Sequence, residues 1–133
     1  MGTKNIHVQA KTIILGNKEY SLDYNLASFG YLSEKYGDIA KVFSMMNVAD
    51  GNFSREKIEA IANMIYAGVI QCDDEDLEAG KSFKESDKSG LSPYKIMKLI
   101  KIADIAKITD TISLAVDGAM PDADPTKAEK APQ

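Results

Sequence analysis

The sequence predicts a mainly α protein with a small N-terminal β-hairpin, an α+β chain folded as one compact helical domain of four to five helices. Three observations carry this. β-branched residues gather ahead of a Gly16-Asn17 pair, apolar residues recur at helical spacing from Leu22 onward, and the helix formers Ala, Leu, Lys, Glu and Met are plentiful. With 133 residues, 44% apolar and 27% charged, the chain is long enough to bury a core without cross-links. The domain is expected over residues 1–120, with a disordered tail over 121–133, where prolines gather and no large apolar residue occurs.

The hairpin is expected at about residues 6–22. Val8, Thr12, Ile13 and Ile14 favour extended backbone before the turn, and Lys18 to Leu22 resume it afterwards. Its open edge near Ile13 to Leu15 could pair with another subunit or an extended peptide, or the hairpin could simply fold back on its own domain.

Leu22 to Gly37 is the stretch around which the chain is expected to be organised. Leu22, Leu26, Phe29, Ser33 and Tyr36 share a helical face that would dock on the hairpin, with Gly37 as a left-handed cap. Asp38 can cap a short helix with Ile39, Val42, Phe43 and Met46 on one side. Ser54 opens the best helix, whose stripe is Ile58, Ile61, Ala62, Ile65 and Val69. Residues 73–91 are rich in charge, Ser and Gly, and read as a long mobile loop with one helical turn at most. Ser92-Pro93 announces a helix start, and the apolar pattern from Ile96 to Ala119 fits one long helix or two, with a change of phase near Ile102. Asp104 could cap the second, and Gly118 near Pro121 would end it.

Composition excludes several functions. Sixteen basic against twenty acidic residues give a net charge of −4, which disfavours a nucleic-acid partner. No apolar run approaches the roughly 20 residues of a membrane span, and the start lacks the apolar core of a signal peptide, so neither secretion nor membrane insertion is expected; the single Cys72 cannot form an intramolecular disulfide, so a reducing cytoplasm is expected. Catalytic residues, metal ligands and cofactors are not expected. His7 reads as a solvated bystander, and Cys72 sits at a helix C-terminus beside acidic residues, which disfavours a reactive thiolate. The run Asp73 to Asp76 lacks the alternating ligands, central Gly and distal Glu of a calcium loop, and no glycine-rich phosphate cradle occurs.

What remains is apolar surface. The methionines suit a core, and equally a face that re-packs around varied partners. Tyr31, Met45 and Met46 are the candidate partner-binding residues, with Ile13 and Leu15 on the hairpin edge. Alanine at Tyr31 and Met46 is expected to leave the fold intact.

A resemblance adds to this. After the hairpin, the chain reads Leu22, Asn25, Leu26, then Leu32, Glu34, Lys35, Tyr36, Gly37, and later Ile65, Tyr66, Ala67, Gly68, Val69, followed by an acidic connection and terminal helices. In that order these motifs resemble the tail assembly chaperones of long-tailed bacteriophages and prophages. The resemblance implies a small non-catalytic protein of the infected bacterial cytoplasm, absent from the mature virion, which coats the tape measure protein and helps bring tail tube subunits to it. Beside the resemblance, the hairpin edge near Ile13 to Leu15 could link copies into a homo-oligomer, a filament or ring. A translational frameshift appends a second domain in many relatives, and residues 121–133 would suit such a junction. Two other classes compete: a structural tail or head-tail joining component, and a small host regulatory binding module.

Overall fold

The computed structural model describes residues 11–47 and 51–119, and they form the expected α+β chain. Strands β1 (Lys11–Leu15) and β2 (Lys18–Leu22) pair antiparallel, Leu15 facing Lys18 and Ile13 facing Tyr20. Only Gly16 takes a positive φ at the turn, +65°, which a two-residue hairpin with glycine first requires. Alternation is clean: Ile13, Leu15 and Leu22 are buried on one face, while Thr12, Ile14, Glu19 and Ser21 are exposed on the other. Residues 6–10 of the expected hairpin, His7, Met120 and the tail 121–133 lie outside the described residues.

Seven α-helices follow among the described residues, rather than four or five: α1 (Leu26–Tyr36), α2 (Ile39–Met45), α3 (Arg55–Val69), α4 (Asp74–Glu78), α5 (Phe83–Ser86), α6 (Pro93–Leu99) and α7 (Ile105–Ala119). The surplus comes from α4 and α5, inside the segment expected to be a mobile loop. Local caps hold them. Asp73 accepts from the Asp76 N–H, and Ser82 and Glu85 form a reciprocal capping box. Phe83 then anchors α5 over Gly30, where an added Cβ would lie 2.5 Å from the ring.

The organising element is α3, not the stretch from Leu22 to Gly37. From Ala60 to Val69 every residue of α3 is buried, so this helix is surrounded on all sides. Helices α1, α2, α6 and α7 and strand β2 all pack on it. The hairpin is covered by α3 and α7; α1 docks on α3, α2 and α5 instead. Helix α1 begins at Leu26, because Asn25 and Ser28 close a capping box there, and its buried residues are Ser28, Tyr31 and Leu32. Leu26 is 88% exposed, off the face it was expected to share.

Local signals elsewhere act as read. Gly37 caps α1 with φ +83°, its N–H donating to the Ser33 carbonyl at 2.9 Å. Asp38, Ser54 and Ser92 each accept from a first-turn backbone N–H. The chain breaks between α6 and α7, where Ile100 and Lys101 are extended and a 3-10 turn covers Ile102–Asp104. Gly118 lies inside α7, which is described as far as Ala119, and the stop expected between it and Pro121 lies at the edge of the described residues.

Candidate functional site

The expected partner-binding side chains are mostly part of the core. Tyr31 is 6% exposed and Met46 5%, Leu15 is buried, and Met45 is half-buried. Tyr31 turns inward because its ring meets Tyr66 edge-on at 5.0 Å and its hydroxyl donates to Asn63 Oδ1. The Asn63 amide in turn donates to the Tyr36 hydroxyl at 3.1 Å and the Glu59 carbonyl at 2.8 Å. Burial raises the Tyr31 phenol well above its ordinary range, so it stays a neutral donor. Alanine at Tyr31 or Met46 therefore opens the core. That reverses the expectation that these substitutions spare the fold.

Ile13 is also buried, yet it lines a surface groove of about 430 Å³ that runs beside β1. Helix α7 supplies Lys107, Ile108 and Thr111, the end of α6 supplies Leu99, and the turn region after it supplies Lys101 and Asp104. Ile14, 65% exposed, stands at the mouth. Leu15 and Lys18 close the hairpin as a hydrogen-bonded pair, so the backbone groups of Thr12 and Ile14 point away from β2. Among the described residues no third strand joins that edge. The groove thus combines an exposed Ile14 and a half-buried Leu99, an open strand edge, and charges of both signs: Glu19 and Asp104 against Lys101 and Lys107.

Across the α6–α7 connection lies a second depression. This cleft of about 130 Å³ is lined only by apolar side chains: Phe53, Ile58 and Ile61 from the α3 end, Met97 from α6, and Ile100, Ile102 and Ile105 beyond it. Ile102, 73% exposed, forms its rim.

A third pocket is polar. It brings Glu34, Lys35, Glu59 and Lys84 beside Tyr94, but Glu59 is already bonded to Arg55 at 2.9 Å. Nothing here sets a nucleophile against a base.

Among the described residues no group of three His, Cys, Asp or Glu side chains is placed to hold a metal ion. No helix among them is long and apolar enough to cross a membrane. Cys72 is half-buried, its thiol 3.5 Å from the Phe83 carbonyl. The acidic run is structural in part: Asp73 caps α4, and Asp76 pairs with Lys88 at 3.0 Å and Lys81 at 3.4 Å.

The polar centre that sequence reasoning missed is Asp87. Its carboxylate accepts from the Gln71 N–H at 2.8 Å, the Tyr66 hydroxyl at 2.7 Å, and the Ser89 N–H and hydroxyl at 2.9 and 2.8 Å. The Ser89 pair carried a local signal, an Asx-type turn at Asp87-Lys88-Ser89. The contacts to Gln71 and Tyr66 did not. Asp87 fastens the end of the acidic connection to α3 and exposes no chemistry.

No family model matches the chain, and no curated protein or solved structure matches it either.

Proposed function

We propose that this chain is a non-catalytic tail assembly chaperone of a long-tailed bacteriophage or prophage. It holds apolar helices of the tape measure protein in the host cytoplasm and assists the arrival of tail tube subunits. One observation carries the reading: the groove beside β1 sets the exposed Ile14 and the half-buried Leu99, over the buried Ile13 and Ile108, within a rim of both charge signs. An amphipathic helix offers the matching pattern, an apolar stripe bordered by charged residues. Each such contact is weak, and many copies on one long partner would sum through multivalency. The order of hairpin, helix and acidic connection supports the same reading through its likeness to that chaperone class.

The test is co-expression with the tape measure protein. Ile14→Glu places a charge at the groove mouth on a side chain already in water, so the fold should survive and co-purification should fall at least several-fold. Undiminished co-purification contradicts the reading. Recovery of the chain from purified particles would favour a structural tail component instead.

A further inference from the structure

Between Asp73 and Ser86 the chain makes a closed excursion from the body of the protein. Its ends lie side by side: the Asp73 N–H donates to the Ser86 carbonyl and the Lys88 N–H to the Gln71 carbonyl, each at 2.8 Å, and Cys72 faces Asp87 as an antiparallel bridge. The Asp87 carboxylate ties this neck to the Tyr66 hydroxyl and the Gln71 N–H. Beyond the neck the attachment thins. No residue from 74 to 85 is buried, and of the hydrophobic side chains in that stretch only Phe83 packs against the core. Its ring lies over Gly30 within α1, in a slot that exists because the glycine has no side chain: an added Cβ would fall 2.5 Å from the ring. Glycine inside a helix weakens it relative to alanine, so α1 is less stable for having the slot.

We propose that residues 74–85 form a strap, latched by Phe83 on Gly30, which opens from α1 as one unit while the neck at 71–73 and 86–88 stays closed. The other contacts of the strap do not hold it to α1. The caps at Asp73 and Ser82 act within it, and Asp76 pairs with Lys81 and Lys88, two exposed lysines whose surface pairing contributes little. Helices as short as α4 and α5 do not persist alone in water, so both melt once the ring leaves its slot. The neck differs, because backbone bonds and a carboxylate with donors from Gln71, Tyr66 and Ser89 fix it independently of Phe83. Opening withdraws Lys84 from the polar pocket beside Tyr94 and bares the Gly30 face of α1. That pocket therefore loses its α5 wall in the open state, while Asn63 stays in place on α3. The groove beside β1 is built from other elements, so the strap operates whether or not a tape measure helix occupies that groove.

Native-state amide exchange on the full chain tests it. The amides of Leu77, Ala79 and Lys81, bonded to the carbonyls of Asp73, Glu75 and Asp76, should be protected to a common degree, less than those of α3. Gly30→Ala displaces the ring and at the same time strengthens α1. It should speed exchange of these strap amides together by about tenfold or more, with the Lys88 and α3 amides unchanged or slower. Phe83→Ala should act on the strap in the same way, and adding Gly30→Ala to it should change the strap no further. Strap amides that are unprotected in the wild-type protein would mean that the latch holds nothing, and overturn the proposal. So would Gly30→Ala leaving strap exchange at the wild-type rate, or accelerating the Lys88 and α3 amides by the same factor, which would make the opening global.

Discussion

The Tyr66 hydroxyl donates to Oδ2 of Asp87 across 2.7 Å, tying the last turn of α3 to the chain beyond α5. The other face of the Tyr66 ring environment is Tyr31, which links through Asn63 to Tyr36, so one polar and aromatic series runs from the acidic connection to α1. Hydrogen bonds to a charged acceptor contribute about 1.5–3 kcal/mol each when one partner is removed. Asp87→Ala should therefore lower stability by about 2–3 kcal/mol. Tyr66→Phe, which removes a single donor to that carboxylate, should cost about 1.5–2 kcal/mol, the low end of that range. Urea unfolding of both variants checks the order.

Acid should act through the same carboxylate. Burial alone would raise the Asp87 carboxyl, but the donors from Gln71, Tyr66 and Ser89 outweigh it and hold it below the usual range. A carboxyl depressed in the folded state stabilises above its unfolded pKa of about 3.9, and that contribution is lost as pH falls through the folded value. The wild-type urea midpoint should drop on acidification below about pH 4. Asp87→Asn should be less stable at neutral pH and show a shallower acid slope. Equal slopes would show that Asp87 is not a source of the acid sensitivity.

Tyr31 provides the sharpest separation between core and surface. Tyr31→Ala should destabilise by about 3–5 kcal/mol, as truncation of a buried aromatic does. Tyr31→Phe keeps the contact with Tyr66 and leaves Asn63 Oδ1 without its donor, for a cost of about 1–2 kcal/mol. Thermal melts that match wild type for the alanine variant would put the side chain at the surface.

Two glycines distinguish crowding from backbone strain. A Cβ at Gly68 would fall 2.8 Å from both Leu22 Cδ2 and Tyr24 Cζ, in the seam where β2 meets α3. Gly68→Ala should cost about 1–3 kcal/mol through overpacking. Gly37 has nothing within 4 Å of that position but sits at φ +83°, so Gly37→Ala should cost about 1 kcal/mol through conformation alone. Trimming Leu22 should partly relieve the first and leave the second unchanged, a comparison that double-mutant unfolding measures.

Features decided within a few residues were legible in the sequence. Ser54, Asp38, Ser92-Pro93 and Gly37 declare helix ends because a cap is a contact between near neighbours. The hairpin and the break near Ile102 follow from equally local patterns. Tyr31 and Leu26 were misplaced because α1 offers more apolar residues than one stripe holds, and α3, distant in sequence, selects Tyr31 and Leu32 over Leu26. Residues 73–91 look like solvated loop in composition, yet Phe83 over Gly30 and Asp87 on Tyr66 and Gln71 pin them, contacts that span 16 to 53 positions. The groove beside β1 was legible only as a strand edge. Its α7 wall is an outcome of packing.

Amide hydrogen exchange of the full chain, alone and bound to the tape measure protein, tests the central claim most directly. Added protection should concentrate at residues 11–15 and along the first half of α7, the two walls of the groove. Protection confined to the polar pocket around Tyr94, or an unchanged pattern at β1 and α7, would contradict it.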